Sequence, residues 1–148
     1  MQSLPRDNCW VAFKKCICNY AKFSGRARRS EYWYFQLLYY VFLIIILIPL
    51  AFIKDEDQRN KVMAIVHSVY SLILLLPNLA VTVRRIHDTG RSGYYFFMVL
   101  IPIAGPFIIL YYCICDSQEE SNEYGVSPKY IEIKDKFLGR INQYNEMN

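Results

Sequence analysis

The sequence predicts an all-α integral membrane protein with an N-terminal interfacial amphipathic helix and about three transmembrane helices. Three ranges contain no Asp, Glu, Lys or Arg, and each covers 22 residues: 32–53, 62–83 and 94–115. At about 1.5 Å per residue, such a helix spans roughly 33 Å, close to the ~30 Å hydrocarbon core of a bilayer. Buried helices of a soluble bundle would each keep a polar face, and these ranges mostly do not. The segregation of apolar residues therefore favours a membrane protein.

The N-terminal segment is predicted to form the interfacial helix, over residues 8–23. Polar residues recur there at helical spacing and make one face: Asn8, Lys15, Asn19 and Lys22. Tryptophan, phenylalanine and aliphatic residues supply most of the rest, which is the pattern of a helix lying in the membrane surface. The apolar run 10–13 is broken by Lys14 and Lys15, so we also expect no cleavable signal peptide.

The distribution of Lys and Arg predicts the orientation in the membrane. Seven of them precede the first span, and three more lie in the loop predicted at 84–93. The loop at 54–61 has three, but three acidic residues offset them. Because cytoplasmic loops carry an excess of Lys and Arg, we expect the N-terminus and the 84–93 loop on the cytoplasmic side of the membrane.

The third hydrophobic range contains residues that interrupt helices, namely Pro102, Gly105 and Pro106. A full crossing would place the C-terminus outside, whereas a re-entrant hairpin would return it to the cytoplasm. Because proline and glycine are tolerated in ordinary transmembrane helices, we favour the full crossing. Residues 1–130 are then the membrane domain. The chain after residue 115 is expected to be loosely ordered, with 131–148 as a polar C-terminal tail.

Two basic segments, which the charge distribution places on one membrane face, form the candidate site. Arginine forks match phosphate oxygens, and a cation at the anionic inner leaflet gains about 1 kcal/mol. We therefore predict a non-enzymatic protein that binds anionic lipid headgroups or a membrane partner protein, with Asp88 orienting an arginine or capping a turn. The simpler alternative is that these cations only set the orientation. The candidate residues are Arg26, Arg28, Arg29, Arg84, Arg85, His87, Asp88 and Arg91.

A polar stripe on the second span suggests a second function. Its members fall on one helix face: His67, Ser71, Asn78 and Thr82. An oligomeric transporter or channel for a small solute would use such a stripe as a hydrophilic path, and would need self-assembly because three helices are too few to enclose a pore. The alternative, which we favour, is hydrogen bonding between helices, at about 0.6 kcal/mol per bond.

Other classes of function find little support. The G-x-S-x-G and H-E-x-x-H motifs are missing, so a phospholipid-modifying enzyme using His87 and Asp88 is a less favoured hypothesis. The five cysteines lack zinc-site spacing, and we expect no metal and no cofactor. The net charge of +4 is modest and sits at the predicted membrane surface, which argues against nucleic-acid binding.

Four motifs resemble the bacterial inner-membrane family known as domain of unknown function 805. They are Phe-Ser-Gly-Arg-Ala-Arg-Arg-Ser-Glu-Tyr-Trp at 23–33, Arg-Arg-Ile-His-Asp-Thr-Gly-Arg-Ser-Gly at 84–93, Pro102 with Gly105, and Asn-Glu-Tyr-Gly-Val-Ser-Pro at 122–128. The likeness covers roughly residues 10–130 and implies a multi-span membrane fold without implying an activity. If the motif at 122–128 works with the arginine segments in one site, all three share a membrane face, which favours the hairpin.

Overall fold

The structure is a computed structural model that describes residues 2–3 and 8–131 of the chain. Its α-helices are α1 (Cys9–Cys18), α2 (Arg29–Leu47), α3 (Glu56–Asp88) and α4 (Ala104–Ile114). Two 3₁₀ helices, η1 (Pro49–Phe52) and η2 (Gly93–Leu100), extend α2 and precede α4. One short antiparallel pairing joins β1 (Gln2–Ser3) to β2 (Tyr130–Ile131). The predicted all-α membrane architecture is confirmed.

Helices α2 and α3 expose most of their apolar surface. In the most apolar part of α2 with η1 only 6% of the residues are buried, and in α3 only 11%. A soluble protein buries its apolar core helices and rarely leaves contiguous apolar patches of this size in water. The exposure therefore fits contact with lipid, as expected for the first two hydrophobic ranges.

Helix α1 packs against α2 through aromatic side chains. The Phe13 ring stacks on Phe35 at 5.7 Å between centroids and meets Phe42 edge-on at 5.5 Å. Ala12 and Cys16 are buried on the same side, whereas Trp10 is 63% exposed. The helix is shorter than the predicted 8–23, and its position in the membrane surface stays a prediction.

Helix α3 is longer than the second hydrophobic range. Its 33 residues correspond to about 50 Å, more than a bilayer core requires. Asp55 caps its N-terminus, accepting hydrogen bonds from the backbone N–H groups of Asp57 and Gln58 at 3.0 and 3.2 Å. At the other end the helix continues to Asp88, so the prediction of a loop starting at residue 84 is wrong. Arg84 and Arg85 lie on the last turns of α3, and Arg91 follows the helix.

The third hydrophobic range folds as a helical hairpin. Its start lies against α3, because a Cβ on Gly93 would sit 3.0 Å from His87 Nε2. Its end also returns there, where Arg85 donates to the backbone carbonyl of Cys113 at 3.3 Å. A Cβ on Gly105 would overlap the backbone carbonyl oxygen of Met98, so only glycine permits this close approach of η2 and α4. The structure therefore contradicts the single straight helix that a full crossing requires, and it has the folded-back shape of the hairpin alternative.

The segment that follows α4 is ordered, contrary to the expectation of a loose tail. Residues 116–131 return over the C-terminal end of α3, with a tight turn in which the backbones of Asn122 and Gly125 pair. Gly125 has a φ of +120°, a conformation that glycine adopts without strain. The predicted polar tail at 131–148 lies outside the described residues beyond Ile131.

A proline inside α3 leaves one carbonyl to be satisfied by another element. Pro77 has no N–H, so the carbonyl of Ile73 lacks its usual partner four residues later. Tyr20 lies just after α1, and its hydroxyl donates a hydrogen bond to this carbonyl oxygen. An unsatisfied backbone carbonyl is costly in an apolar environment, so this contact ties the N-terminal segment to α3.

We expect Tyr20→Phe to lower the free energy of unfolding by about 1 kcal/mol, the usual net value of a hydrogen bond. In a Pro77→Ala background the loss should be smaller, because the new N–H of residue 77 satisfies the Ile73 carbonyl. The free energy of unfolding is measured in mixed micelles by circular dichroism for the wild type, the two single variants and the double variant. Tyr94→Phe, at a site that is 81% exposed, is the control and should have little effect. Equal losses in both backgrounds would contradict this role of Tyr20.

Candidate functional site

The buried carboxylate of Asp88 joins three parts of the chain at one end of the bundle. Its Oδ1 accepts from Arg26 Nε at 2.9 Å. Its Oδ2 accepts from Arg85 Nη1 and from the Ser117 hydroxyl. Asp88 and Arg85 have no exposed surface, and Arg26 and Ser117 are buried as well. We refer to these four residues as the Asp88 cluster.

The arginines of the Asp88 cluster also bind backbone carbonyls. Arg26 Nη1 donates to Glu120 at 2.7 Å and to Gly125 at 3.3 Å, and its Nη2 donates to Gln118. Arg85 donates to the carbonyls of Cys113 and Cys115 at the end of α4. Their guanidinium donors are thus used inside the protein, so Arg26 and Arg85 hold the hairpin and the segment after it against α3.

A second buried ion-pair cluster surrounds Glu31, which the sequence analysis did not select. Glu31 Oε1 accepts from Arg84 Nη1 at 2.8 Å, and Oε2 lies 3.2 Å from Lys15 Nζ. The thiol of Cys16 donates to Oε1 at 3.7 Å. Burial, together with the Glu31 carboxylate, raises the pKa of the Cys16 thiol to about 12, although Arg84 opposes this shift. We call Glu31, Arg84, Lys15 and Cys16 the Glu31 cluster.

A feature of the sequence could have revealed Glu31. It is the one acidic residue between Asp7 and Asp55, and it follows directly on a strongly basic segment. A lone carboxylate at the start of an apolar helix is costly unless it has a partner, which points to an internal ion pair.

His87 belongs to the packing between α3 and the motif at 122–128. Its ring stacks on Tyr124, with 3.7 Å between centroids and 2° between planes. Its Nδ1 lies 3.2 Å from the carbonyl oxygen of Gly25, and its own carbonyl accepts from Asn122 Nδ2 at 3.0 Å. The motif at 122–128 and both arginine motifs therefore form one composite site. His87 and Asp88 are both buried within it.

The remaining predicted arginines are accessible. Arg91 is exposed, and its guanidinium carbon lies 5.7 Å from the centroid of the Tyr95 ring. Arg28 and Arg29 line an open cleft of about 500 Å³ at the start of α2. We call it the basic cleft, and its lining residues are Arg28, Arg29, Ser30, Trp33, Tyr34, Ile114 and Lys129.

An acidic side chain bridges two cations of the basic cleft. Asp116 Oδ2 lies 3.1 Å from Arg29 Nη2, and its Oδ1 accepts from Lys129 Nζ at 2.6 Å. Partial burial disfavours the Asp116 carboxylate, but hydrogen bonds from Lys129 and the Ser117 N–H and the charge of Arg29 lower its pKa overall. The Asp116 side chain is 49% exposed, so this ion-pair bridge is accessible from outside the protein.

The polar stripe of α3 mostly faces α2. Asn78 Oδ1 accepts from Gln36 Nε2 at 2.7 Å, and the Ser71 and Tyr39 hydroxyls are 3.1 Å apart. Thr82 donates to the Asn78 carbonyl within its own helix. His67 is exposed on the surface of α3. These contacts fit our favoured interpretation, hydrogen bonding between helices, better than a continuous hydrophilic path.

Metal ligands are not grouped in the part of the chain that the structure describes. There, no three His, Cys, Asp or Glu side chains are arranged to hold a metal ion. All five cysteines are free thiols, with Cys16 and Cys113 buried.

Comparison with known proteins identifies the family. The profile of the family described as "Protein of unknown function (DUF805)" matches residues 20–126. Inner membrane protein YhaI of Escherichia coli (strain K12) is 36% identical over 112 residues, which cover 76% of this chain and 90% of that protein. Inner membrane protein YhaH of the same strain is 35% identical over 117 residues, covering 79% and 95%. No solved structure shows a significant match.

The matched range contains both arginine motifs and most of the motif at 122–128, so it includes the composite site and most of the basic cleft. The relatives that share this range are named as inner membrane proteins, which supports the predicted location. Because the profile covers more than half of the sequence, the chain belongs to the DUF805 family of unknown function.

Proposed function

We propose that this protein binds the phosphate of an anionic lipid headgroup in the basic cleft and does not catalyse a reaction. The observation that supports this most directly is the cleft itself, which is open and places Arg28, Arg29 and Lys129 around about 500 Å³. Guanidinium forks suit phosphate oxygens, and the N-terminus of α2 adds a partial positive charge. Trp33 and Tyr34 in the same wall are residues typical of headgroup depth.

This proposal narrows the set of residues that the sequence indicated. Arg26, Arg84 and Arg85 are buried in ion pairs, so they support the site from inside the protein. Arg28 and Arg29 keep the proposed binding role, and Lys129, which the sequence analysis did not select, joins them. His87 and Asp88 position the segment that carries Lys129.

In the proposed orientation the basic cleft lies at the cytoplasmic surface of the membrane, and α2 and α3 are the two crossings. Support comes from the hairpin, which brings the segment after α4 to the same end as the basic N-terminal motif. It also comes from the excess of Lys and Arg at this end, which is typical of cytoplasmic loops. The anionic lipids of the inner leaflet would then face the cleft.

Two variants should change binding in opposite directions. We expect Arg29→Gln/Lys129→Gln to weaken the affinity for phosphatidylglycerol about 30-fold, because each lost cation is worth about 1 kcal/mol and 1.4 kcal/mol is tenfold. We expect Asp116→Asn to raise the affinity, because the neutral amide no longer competes with the lipid phosphate. Titration of fluorescent phosphatidylglycerol into the purified full-length protein in detergent micelles measures both.

The matched control is Arg59→Gln/Lys61→Gln, which removes the same charge at the other end of the bundle. It should leave the affinity unchanged. The proposal is wrong if the cleft variant binds as the control does while both keep the wild-type circular dichroism spectrum. It is also wrong if Asp116→Asn weakens binding.

A further inference from the structure

We infer that the ligand of the basic cleft is a glycerophospholipid, with one of its acyl chains seated in an intramembrane groove next to the cleft. This inference rests on the proposed headgroup binding and specifies the ligand. The groove has a volume of about 350 Å³ and lies between α2, α3 and the hairpin. We call it the chain groove, and its lining includes Trp33, Gln36, Tyr40, Thr82, Phe96 and Leu110.

The chain groove and the basic cleft adjoin each other. Trp33 lines both of them. Arg29, Trp33, Gln36 and Tyr40 follow one another at helical spacing, so they lie on one face of α2. With about 1.5 Å of rise per residue, Gln36 lies roughly 10 Å deeper in the membrane than Arg29. A single elongated molecule can therefore occupy both sites along this face.

The lining residues of the cleft and the groove offer each type of contact that a glycerophospholipid makes. Cations line the cleft and suit the phosphate. Amide and hydroxyl groups line the groove, among them Gln36, which is hydrogen-bonded to Asn78, and the Tyr40 hydroxyl. Such groups suit the ester carbonyls of the lipid. Apolar side chains of the hairpin, Phe96 and Leu110, line the groove as well and suit contact with an acyl chain.

The composition of the groove distinguishes it from ordinary lipid-facing surface. Polar side chains in a membrane-spanning helix avoid lipid unless they have a specific role or partner. Here Thr82 and the Gln36–Asn78 pair line a space that is open at one side. A free phosphate ion or an acidic peptide would use the cleft and leave this space unused, whereas a chain-bearing lipid fills both.

Filling the groove tests the inference. Leu110→Trp is expected to weaken phosphatidylglycerol binding about tenfold or more, because a large side chain now occupies the space of the acyl chain. The second ligand is soluble glycerol 3-phosphate, which has a headgroup phosphate but no acyl chain. In a calorimetric titration it should bind Leu110→Trp as it binds the wild type. Leu100→Trp, the same substitution at a site that is 75% exposed, is the control and should bind both ligands normally.

The outcomes separate this inference from the proposed function. If Arg29→Gln/Lys129→Gln loses the lipid and Leu110→Trp keeps it, the headgroup site stands and the chain groove is wrong. If neither variant differs from its control, both are wrong. If Leu110→Trp loses both ligands, the groove is not a separate subsite, and the inference is also wrong.

A second measurement does not depend on a substitution. Phosphatidylglycerol with a photoreactive group on its acyl chain should label the groove residues of α2 and α4 in the wild-type protein. Unlabelled phosphatidylglycerol should compete, and phosphatidylcholine should not. Equal labelling of Ile65 and Leu72, which are exposed elsewhere on α3, would show ordinary lipid contact and overturn the inference.

Discussion

Replacing Asp88 by asparagine is expected to lower the free energy of unfolding by about 3–5 kcal/mol, the usual cost of leaving buried charges without their partner. Arg26 and Arg85 both direct a guanidinium donor at this carboxylate, and the three side chains are buried. Asparagine keeps the shape of the side chain and removes its charge, so the loss of unfolding free energy reports the contribution of the Asp88 charge. Because Arg26 also holds the segment after α4, protease sensitivity there should rise.

Unfolding in mixed micelles at neutral pH, followed by circular dichroism, measures the loss for Asp88→Asn. Asp57→Asn is the matched control, since Asp57 pairs with Lys61 at an exposed site. Exposed ion pairs contribute about 0–1 kcal/mol, so the control should stay close to the wild type. A loss for Asp88→Asn no larger than that of the control would mean that the Asp88 cluster does not hold this end together.

Replacing Glu31 by glutamine is expected to have an effect of similar size, about 3–5 kcal/mol. Arg84 is only 3% exposed, and its Nε and Nη2 atoms have no hydrogen-bond partner among the described residues. Its Nη1 bond to Glu31 is thus the main compensation for a buried charge. Lys15, which is 43% exposed, can return to water when the carboxylate is lost.

A double variant tests whether the loss comes from an unpaired Arg84. Replacing a buried ion pair by apolar residues is often nearly neutral, whereas breaking it is not. Glu31→Leu/Arg84→Met should therefore be more stable than Glu31→Gln in the same unfolding experiment. If the double variant is less stable than the single one, the buried charge is not the cause of the loss.

The Asp88 cluster explains how the basic cleft is built. Lys129 and Asp116 lie after α4, whereas Arg28 and Arg29 lie before or at the start of α2. Arg26 connects these parts of the chain through its bonds to Gln118 and Glu120. The family motifs at 23–33, 84–93 and 122–128 are thus mainly an internal scaffold. The proposed ligand site lies on the outer surface of this scaffold.

The membrane segments could be predicted because hydropathy is a local property of the chain. The ranges 32–53 and 62–83 are apolar at bilayer length. The first lies within α2 and η1 apart from Ile48 and Ile53, and the second lies within α3. The third range had the same composition but a different shape. Proline and glycine occur both in straight transmembrane helices and in hairpins, so their presence alone could not decide between the two. The contact of Gly105 with η2 decided it.

The candidate site could be located from the sequence but not resolved into roles. The arginines that the sequence analysis selected all lie at one end of the molecule. Counting arginines could not separate Arg84 and Arg85, which are buried and paired, from Arg91, which is exposed. It also missed Glu31, although Glu31 is the one acidic residue between Asp7 and Asp55, and Lys129, which does not stand out by residue type.

The sequence alone determined that this is a membrane protein, which family it resembles and which end of it carries the charge. Those properties follow from the order of apolar and basic residues along the chain. The tertiary structure alone decided which arginines are internal and that the third range is a hairpin. The physical reason is distance along the chain: Arg26 meets Asp88 across 62 residues and Arg84 meets Glu31 across 53, so only folding pairs these charges.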